Sequence, residues 1–310
     1  MRILVVGAFG YLGGRIASYL AECAHEIVLA SSREMHSADW LVGSSVLRIN
    51  WSDFGSLQSA CESVDIVIHA AGMNAADCKQ NPVQALEFNG VLTSKLALAA
   101  GSMSVSKFIY LSTVHVYKSM LEGRITDSAC PENIHPYASS HLAGESAVLF
   151  AASQNNMNGI VLRLSNCFGK PVHKNTNCWY LLANDLCRQA VTEKTLSLSS
   201  NGKQFRDFIN IGKLCRDIEC LIKSDINYDR PLNISAGSSI SVIQMTKLVQ
   251  DRCASKFGYV PEIIANDMDS SEAGELLEIV PSDCIMEFGH KTDFNHEIDE
   301  LLACCSEEFS

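Results

Sequence analysis

The sequence lacks several features that would each point to a particular class of protein. Its 13 cysteines are odd in number and contain no C-x-x-C pair, so reduced thiols in the cytoplasm are expected rather than a disulfide framework. No run of about 18 uncharged apolar residues occurs, and we expect no membrane-spanning helix. The chain passes from Met1-Arg2 directly into an apolar run, which predicts no secretory signal peptide.

Positive charge is also scarce. The 24 Lys and Arg residues are outnumbered by 35 Asp and Glu residues, which gives a formal net charge of -11. Nucleic acids and anionic membranes select for basic surfaces, so neither is an expected partner. No cluster of His, Cys, Asp and Glu has metal-ligand spacing, and no metal is expected. Any anionic ligand must therefore be held by local groups.

The 310 residues are 47% hydrophobic, which is enough to bury a full core. Short apolar runs at residues 2–6, 26–30, 46–50 and 65–69 alternate with stretches of helical periodicity such as residues 11–23. Continuous apolar strands separated by helices are typical of a parallel sheet that is covered on both faces. The pattern predicts an α/β fold with a doubly wound parallel sheet.

The same alternation continues further along the chain. Asn81-Pro82 is a typical helix start, and this helix is expected to run to about residue 100. Strands are predicted at residues 107–112 and 159–164, with a helix between them at residues 136–154. Any smaller second lobe must then come from the chain after Phe168.

The segment Gly7-Ala-Phe-Gly10-Tyr-Leu-Gly13 lies where the first predicted strand meets the first helix. Glycines at such a junction allow a tight turn and close approach of a pyrophosphate, and the helix start supplies amide donors and a positive dipole end. This context predicts a dinucleotide site.

The end of the second predicted strand bears on which dinucleotide is bound. A carboxylate there would pair with the ribose hydroxyls of NAD, but the chain reads Leu29-Ala-Ser-Ser-Arg33. Two hydroxyls and a guanidinium suit a 2′-phosphate. We therefore expect NADP(H) in preference to NAD(H).

Several motifs together resemble the extended short-chain dehydrogenase/reductases, also called the NAD-dependent epimerase/dehydratase family. The resemblance extends through the whole chain. The segments that carry it are the G-x-x-G-x-x-G of Gly7, Gly10 and Gly13, Asn50-Trp-Ser-Asp53, His69-Ala-Ala-Gly72, Leu111-Ser-Thr-Val-His-Val-Tyr117, Arg163-Leu-Ser-Asn166-Cys-Phe-Gly169, Phe205-Arg206-Asp-Phe208, Pro231-Leu-Asn-Ile-Ser and Met286-Glu-Phe-Gly289.

The resemblance assigns roles to individual residues. The candidate cofactor-binding residues, from the motifs and from the resemblance, are Gly7, Phe9, Gly10, Tyr11, Leu12, Gly13, Ser31, Ser32, Arg33, Asn50, Trp51, Ala70, Ala71, Gly72, Tyr137 and His141. The candidate catalytic residues are Thr113, Tyr137 and His141, and the candidate substrate-binding residues are Thr113, His115, Asn166 and Arg206. Asp53 is expected to cap a helix, and Tyr117 to be a structural ring beside the site.

The stretch from Tyr137 to His141 departs from the family's Y-x-x-x-K signature, because His141 stands where lysine is expected. On a helix these two side chains project from the same face. The family's lysine holds the nicotinamide ribose and stabilises the tyrosinate. A cation about 4 Å from the phenol, at an effective dielectric constant of about 20, contributes about 4 kcal/mol. A histidine with a pKa of about 6.5 is mostly neutral at pH 7, so it supports an ionised Tyr137 less well.

This difference bears on the direction of reaction. Oxidising an alcohol needs a tyrosinate base, whereas reducing a ketone needs a neutral tyrosine acid. Loss of the lysine therefore favours a ketoreductase over an epimerase. A 4,6-dehydratase is disfavoured, because that subgroup follows its Thr with an Asp-Glu pair and Val114-His115 follow Thr113 here.

The resemblance implies a Rossmann-type domain at residues 1–167 and a smaller substrate-binding lobe at residues 168–310, with residues 204–235 returning to the Rossmann core. The expected reaction is reduction of a keto group on a nucleoside-diphosphate sugar by NADPH, with Tyr137 as proton donor. The alternatives are an epimerase that retains its cofactor and a family member that binds cofactor without turnover. The resemblance also implies a homodimer formed through the helices at residues 81–100 and 136–154.

Overall fold

The computed structural model describes residues 1–33, 38–173, 176–265 and 276–309. The strands are β1 (Arg2–Val6), β2 (Glu26–Ser31), β3 (Ser45–Arg48), β4 (Ile66–His69), β5 (Lys107–Thr113), β6 (Gly123–Ile125), β7 (Asn158–Leu164), β8 (Asn166–Phe168), β9 (Thr195–Leu198), β10 (Phe205–Asn210), β11 (Leu232–Ile234), β12 (Ser239–Ser241), β13 (Glu262–Ala265) and β14 (Leu277–Ile279).

The helices alternate with these strands along the chain. They are α1 (Tyr11–Glu22), α2 (Phe54–Cys61), α3 (Ala75–Gln80), α4 (Pro82–Ala85), α5 (Thr93–Ser102), α6 (Pro136–Ser153), α7 (Leu182–Thr192), α8 (Ile211–Lys223), α9 (Val242–Phe257), α10 (Asp283–Glu287) and α11 (Phe294–Phe309). A π-helical segment, Leu86–Leu92, joins α4 to α5, and a 3₁₀ turn, Val114–Val116, follows β5. No helix among the described residues is long and apolar enough to cross a membrane.

The central sheet has seven strands in the order β11-β7-β5-β4-β1-β2-β3. The pairs from β7 to β3 are parallel, as the sequence predicts for apolar strands that are separated by helices. The strand order reverses between β1 and β4, and the carboxyl ends of such strands are where ligands bind in open α/β sheets. The prediction of an α/β fold with a Rossmann-type doubly wound sheet is confirmed.

The described residues fall into two compact units. The first unit comprises Met1–Met120, Asp127–Leu164 and Asp217–Asn233. In its core, apolar side chains of the central sheet pack against those of α2, α5 and α6. Lys107 anchors the end of α8 to β5 in this unit, because its ammonium donates to the backbone oxygens of Ile222 and Ser224. A cation at a helix C-terminus also complements the helix dipole.

The second unit comprises Leu121–Thr126, Ser165–Arg216 and Ile234–Ser310. It contains a three-stranded sheet in the order β12-β10-β8, in which β10 runs parallel to β8 and antiparallel to β12. Helices α7, α9 and α11 pack their apolar faces into its core. The sequence patterns do not predict β8 and β12, because three residues are too few to show a period.

The helix predicted at residues 81–100 differs from a regular α-helix. It consists of α4, the π-helical segment and α5, and ends at Ser102. Asn89 in the π-helical segment is fully buried and turns its side chain inward: its Oδ1 accepts from the backbone N–H of Met73 at 2.9 Å, and its Nδ2 donates to Ser140 Oγ at 3.0 Å. These tertiary bonds accompany a wider turn that residue periodicity does not reveal.

Candidate active site

The glycine-rich turn connects β1 to α1 and needs its glycines. Gly7 has a φ of +88°, and a Cβ there would lie 2.6 Å from the backbone nitrogen of Ala71. A Cβ on Gly13 would lie 2.3 Å from the carbonyl oxygen of Gly7. The turn therefore packs backbone against backbone, as close approach at a βα junction requires.

The first turn of α1 is open to an anion. No side chain caps this helix, because Gly10 stands at the N-cap, and no acidic residue occupies its first turn. The predicted contacts Tyr11, Leu12 and Gly13 form this turn, and the ring of Phe9 packs edge-on against Trp40 at 6.1 Å. Backbone amides and a positive dipole end suit a pyrophosphate. The residues present here fit a dinucleotide.

A cavity of about 620 Å³ lies beside the ends of β2 and β3. Its lining contains the predicted cofactor residues Ser32, Asn50 and Trp51 together with Arg48. Asn50 is held by its own loop, since its Oδ1 accepts from the backbone N–H of Ser52 at 3.1 Å. The sequence patterns did not single out Arg48, which lies within a strand that reads only as an apolar run.

The end of β2 carries the residues predicted to select the cofactor. Ser31 Oγ accepts from the backbone N–H of Arg33 at 3.0 Å, and the side chain of Arg33 is exposed. Asp53 caps α2 as expected, because its carboxylate accepts from the backbone N–H of Gly55 at 3.0 Å. Arg33 follows the end of β2, and Arg48 is the last residue of β3. Both therefore lie near the strand ends beside the cavity.

Tyr137 and His141 lie one turn apart on α6, as their spacing predicts. Their ring centroids are 4.7 Å apart and the rings meet edge to face. Pro136 occupies the first helical position, and His135 caps the helix through a bond from the backbone N–H of Tyr137 to His135 Nδ1 at 3.2 Å. The cap fixes where the helix begins and hence where Tyr137 projects.

His141 is a buried, neutral imidazole. Its Nδ1 lies 2.9 Å from the hydroxyl oxygen of Tyr110 on β5. Its opposite edge faces the turn after β4, since Cε1 and Nε2 lie 3.6 and 3.7 Å from where a Cβ on Gly72 would stand. Burial lowers the pKa of His141 to about 4. At neutral pH the ring therefore offers one hydrogen-bond donor and no positive charge.

A second buried histidine lies behind His141. His69 at the end of β4 stacks on Tyr110 with ring centroids 5.5 Å apart, and its Nε2 lies 2.9 Å from Thr93 Oγ1. Burial, and then the charge of His141, lower the pKa of His69 to about 3. Burial also raises the pKa of Tyr110 well above its ordinary value. His69 and Tyr110 are thus both neutral at pH 7.

Thr113 ends β5, where the family resemblance places a catalytic hydroxyl. Its Oγ1 accepts from the backbone N–H of His115 at 3.2 Å, which caps the following 3₁₀ turn. This bond uses a lone pair of the Thr113 oxygen, so the hydroxyl can still donate its hydrogen to another group. His115 is half-buried, and its carbonyl accepts from Asn133 Nδ2 at 2.7 Å.

A buried ion pair supports α6 against β7. Arg163 Nη2 donates to Glu145 Oε2 at 2.6 Å, and Ser112 Oγ donates to Glu145 Oε1 at 2.5 Å. The Arg163 guanidinium also lies over the ring of Tyr117, 4.8 Å from its centroid. Tyr117 donates to Asn233 Oδ1 at 2.7 Å, so it has the structural role that was expected.

The predicted substrate residues Asn166 and Arg206 lie together in the second unit. They line one cavity of about 460 Å³, along with Tyr180, Ser200 and Gln204. Asn166 Nδ2 donates to the backbone oxygen of Asp207 at 2.8 Å, which leaves its Oδ1 as an acceptor. Burial lowers the pKa of Arg206. Within the described ranges, no group of three His, Cys, Asp or Glu residues has the geometry of a metal site.

The parallel sheet with its glycine turn defines a Rossmann-type α/β protein. A sequence profile of the NAD dependent epimerase/dehydratase family matches residues 3–235, and the chain belongs to that family. This confirms the resemblance that the motifs indicate.

Individual relatives are more distant. An uncharacterised UDP-glucose epimerase of Bacillus subtilis is 22% identical over 91% of this chain and 93% of its own. Human dTDP-D-glucose 4,6-dehydratase is 36% identical, over 38% of this chain and 34% of its own.

Solved structures share the fold at lower identity. UDP-glucose 4-epimerase of Thermotoga maritima, solved with UDP-glucose, is 16% identical with a TM-score of 0.82, and the match covers 100% of both chains. UDP-glucuronic acid 4-epimerase of Bacillus cereus, solved with NAD, is 18% identical with a TM-score of 0.80 and the same coverage.

Sequence reasoning missed the surroundings of His141. Tyr110, Thr93 and Asn89 read as ordinary members of a strand and a helix, because periodicity shows which face is buried and not which polar groups meet there. Glu145 carried a weak signal, since an acidic residue among apolar neighbours needs a buried partner. Arg163, in the family's R-x-x-N segment, is that partner.

Proposed function

We propose that this protein is an NADP(H)-dependent oxidoreductase that reduces a keto group of a nucleoside-diphosphate sugar. The observation that carries the proposal is the neutral His141 beside Tyr137. An imidazole without charge gives a tyrosinate little electrostatic support. Tyr137 then keeps its proton at neutral pH and is ready to act as a general acid, which is the role that ketone reduction needs.

Each residue has a stated part in this reaction. Tyr137 donates a proton to the carbonyl oxygen, and the Thr113 hydroxyl hydrogen-bonds the same oxygen and orients it. His141 holds the cofactor through its ring N–H. The nicotinamide supplies the hydride when it is bound. The glycine turn and the cavity at Ser32, Asn50 and Trp51 support the site for the rest of the dinucleotide.

The proposed substrate class rests on the second unit and on the relatives. The relatives named above act on UDP- or dTDP-linked sugars by their names. Arg206 is a cation in the lining of a 460 Å³ cavity, next to the amide of Asn166. A guanidinium suits a diphosphate, and an amide suits a sugar or base. His115 is proposed as a further substrate contact.

The preference for NADP(H) is proposed from Arg33 at the end of β2 and from Arg48, which lines the neighbouring cavity. A hydrogen bond to a charged group contributes about 1.5–3 kcal/mol, or about 10- to 100-fold in affinity. Arg33→Ala should therefore lower the affinity for NADPH by this factor and leave the affinity for NADH nearly unchanged. Paired titrations of the two cofactors measure it, and equal losses for both would contradict the 2′-phosphate assignment.

A second candidate function is an epimerase that retains its cofactor, which the epimerase relatives favour. Such a protein oxidises its substrate before it returns the hydride, so it carries bound oxidised cofactor when purified. The absorbance of the purified protein distinguishes the two functions. Bound NAD(P)+ together with interconversion of two sugar nucleotides favours the epimerase, whereas net consumption of NADPH by a keto-sugar nucleotide favours the reductase.

A third outcome is a family member that binds cofactor without turnover. His141→Lys tests it, because this substitution restores the residue that the family signature expects. If the wild-type protein binds cofactor and turns over no member of a sugar-nucleotide panel, while His141→Lys creates activity, the binding protein is the correct description.

We also propose a homodimer in a reducing, cytoplasmic setting. Apolar side chains are exposed along the predicted dimer helices, and they are Val83, Leu86, Val91, Leu98 and Phe150. We propose that these side chains belong to the association surface. The 13 cysteines are all free thiols, which suits a reducing compartment. Leu86→Glu should shift the mass measured by light scattering from dimer to monomer, and an unchanged mass would exclude this surface.

A further inference from the structure

We propose that Tyr110 is a positioning residue: its hydroxyl donates to Nδ1 of His141, so that the ring presents its hydrogen on Nε2, toward the turn after β4. The proposed function enters only through the group that accepts this hydrogen, a hydroxyl of the bound cofactor. The arrangement of Tyr110 and His141 itself can be measured without turnover.

The contact between the two side chains is short and fully enclosed. The Tyr110 hydroxyl oxygen lies 2.9 Å from His141 Nδ1, and the two rings are nearly parallel with centroids 5.9 Å apart. The backbone oxygen of Asn89 is a second acceptor for the phenol, at the longer distance of 3.5 Å. Because hydrogen bonds weaken steeply with length, the single phenol hydrogen belongs on the bond to Nδ1.

Both partners are neutral, so the bond contains a single hydrogen, which is carried either by the Tyr110 oxygen or by His141 Nδ1. Burial keeps the phenol of Tyr110 protonated at pH 7, and burial also keeps the imidazole of His141 uncharged. A neutral imidazole carries its hydrogen on one nitrogen and a lone pair on the other. If Tyr110 donates to Nδ1, the lone pair is there and the hydrogen is on Nε2.

The hydrogen of the second buried histidine, His69, is assigned in the same way. His69 Nδ1 is buried without a hydrogen-bond partner, whereas its Nε2 lies 2.9 Å from Thr93 Oγ1. A bare buried lone pair is less costly than an unpaired buried N–H, so the His69 hydrogen is on Nε2 and points to Thr93.

The free edge of the His141 ring faces the predicted cofactor. Its Nε2 and Cε1 are near Gly72, in the turn that the family resemblance places along the dinucleotide. The buried hydrogen bond between Tyr110 and His141 thus leaves the remaining ring hydrogen of His141 directed toward that turn. A neutral pair of this kind orients a donor where a lysine would place a charge.

The first experiment is ¹⁵N NMR of the imidazole nitrogens in the wild-type protein at about pH 7. The expected spectrum of His141 has a protonated Nε2 and an unprotonated Nδ1 whose shift shows that it accepts a hydrogen bond. A hydrogen on Nδ1, or an imidazolium spectrum, would overturn the proposal. This arm needs no substitution and no cofactor.

The second experiment removes the hydroxyl with Tyr110→Phe. The Nδ1 signal should move to the value of a nitrogen without a donor, and the affinity for NADPH should fall about fivefold, as the loss of one hydrogen bond gives. Tyr117→Phe is the matched control, because Tyr117 is a buried tyrosine whose hydroxyl bonds Asn233 instead. Tyr117→Phe should change neither the Nδ1 signal of His141 nor the affinity for NADPH.

The outcomes separate this inference from the proposed function. If Tyr110→Phe leaves either reading unchanged, or if Tyr117→Phe changes both as much, Tyr110 has no positioning role. If the wild-type protein binds no dinucleotide at all, the proposed function fails, and the Nδ1 signal alone then decides on Tyr110. If Tyr110→Phe does not fold, the wild-type spectrum decides.

Discussion

The most informative residue is His141, because it changes the chemistry of an otherwise familiar signature. In the family signature a lysine supplies a charge beside the tyrosine, whereas burial and the Tyr110 hydroxyl give His141 a neutral environment. A lysine ammonium is strongly hydrated and loses its charge readily when it is buried without a partner. The substitution therefore exchanges electrostatic support of a tyrosinate for a fixed hydrogen-bond donor.

Tyr137→Phe tests the proton donor at this scale. The phenyl ring keeps the contact with His141 and loses the proton, so kcat for ketone reduction should fall by about 10²- to 10⁴-fold. The dissociation constant for NADPH should change little, because the cofactor is held mostly by the glycine turn and the cavity beside β2 and β3. Steady-state rates and a cofactor titration measure both. Wild-type kcat in the Tyr137→Phe variant would remove Tyr137 from the mechanism.

The sequence predicted part of this site and not the rest. The pairing of Tyr137 with His141 follows from their spacing on a helix, and their rings do meet. The partner of His141 could not be predicted, because Tyr110 is distant in the chain and its strand is buried on every side. Which buried polar groups face each other depends on the packing of β5 against α6.

At the scale of elements, α6 joins the candidate catalytic residues to the sheet. Tyr137 and His141 project from its first turns, and Glu145 lies one turn further along and pairs with Arg163 of β7. Gly144 lets this helix approach the neighbouring segment, because a Cβ there would lie 2.5 Å from the backbone oxygen of Asn89. The position of the reacting side chains thus depends on contacts deeper in the same helix.

Glu145→Gln tests how much the ion pair stabilises this arrangement. Removing one charge leaves the Arg163 guanidinium buried and uncompensated, which costs about 3–5 kcal/mol. The free energy of unfolding from urea denaturation should fall by that amount. Glu278→Gln is the matched control, since its pair with Arg124 is mostly exposed and contributes less than about 1 kcal/mol. Equal effects of the two variants would contradict the buried role of Glu145.

The sequence predicted eight elements of the sheet and its covering layers to within two residues, and they are β1, β2, β3, β4, β5, β7, α1 and α6. The apolar runs of these elements are long enough to show a pattern, and glycines mark boundaries between them. The π-helical segment Leu86–Leu92 was not predicted, since its wider turn depends on bonds from Asn89 to Met73 and Ser140. Local periodicity carries no information on such bonds.

At the scale of the whole molecule, two buried neutral histidines make stability depend on pH. The pKa values of His69 and His141 in the folded protein are about 3 and about 4, below the ordinary value of 6.5. At pH values between the folded-state and the ordinary pKa, the unfolded chain binds more protons than the folded one. The free energy of unfolding therefore falls as the pH is lowered from about 6.5 toward 4. Above about pH 6.5 the protonation of these two groups has no effect on stability.

His69→Gln should weaken this acid sensitivity. One histidine contributes up to about 1.4 kcal/mol per pH unit in this window, so the stability difference between wild type and variant should shrink as the pH falls. Urea denaturation at a series of pH values measures this slope. The same series on His296→Gln, at an exposed histidine, is the matched control. A constant difference across the window would contradict a neutral, buried His69.

The central claim is that the protein reduces a keto-sugar nucleotide with NADPH, and the nicotinamide absorbance tests it most directly. Mixing the purified protein with NADPH and a panel of keto-sugar nucleotides should give loss of reduced cofactor in proportion to the alcohol formed, and Tyr137→Phe should slow it. Interconversion of sugar nucleotides with no net change in that absorbance would contradict the claim and identify an epimerase.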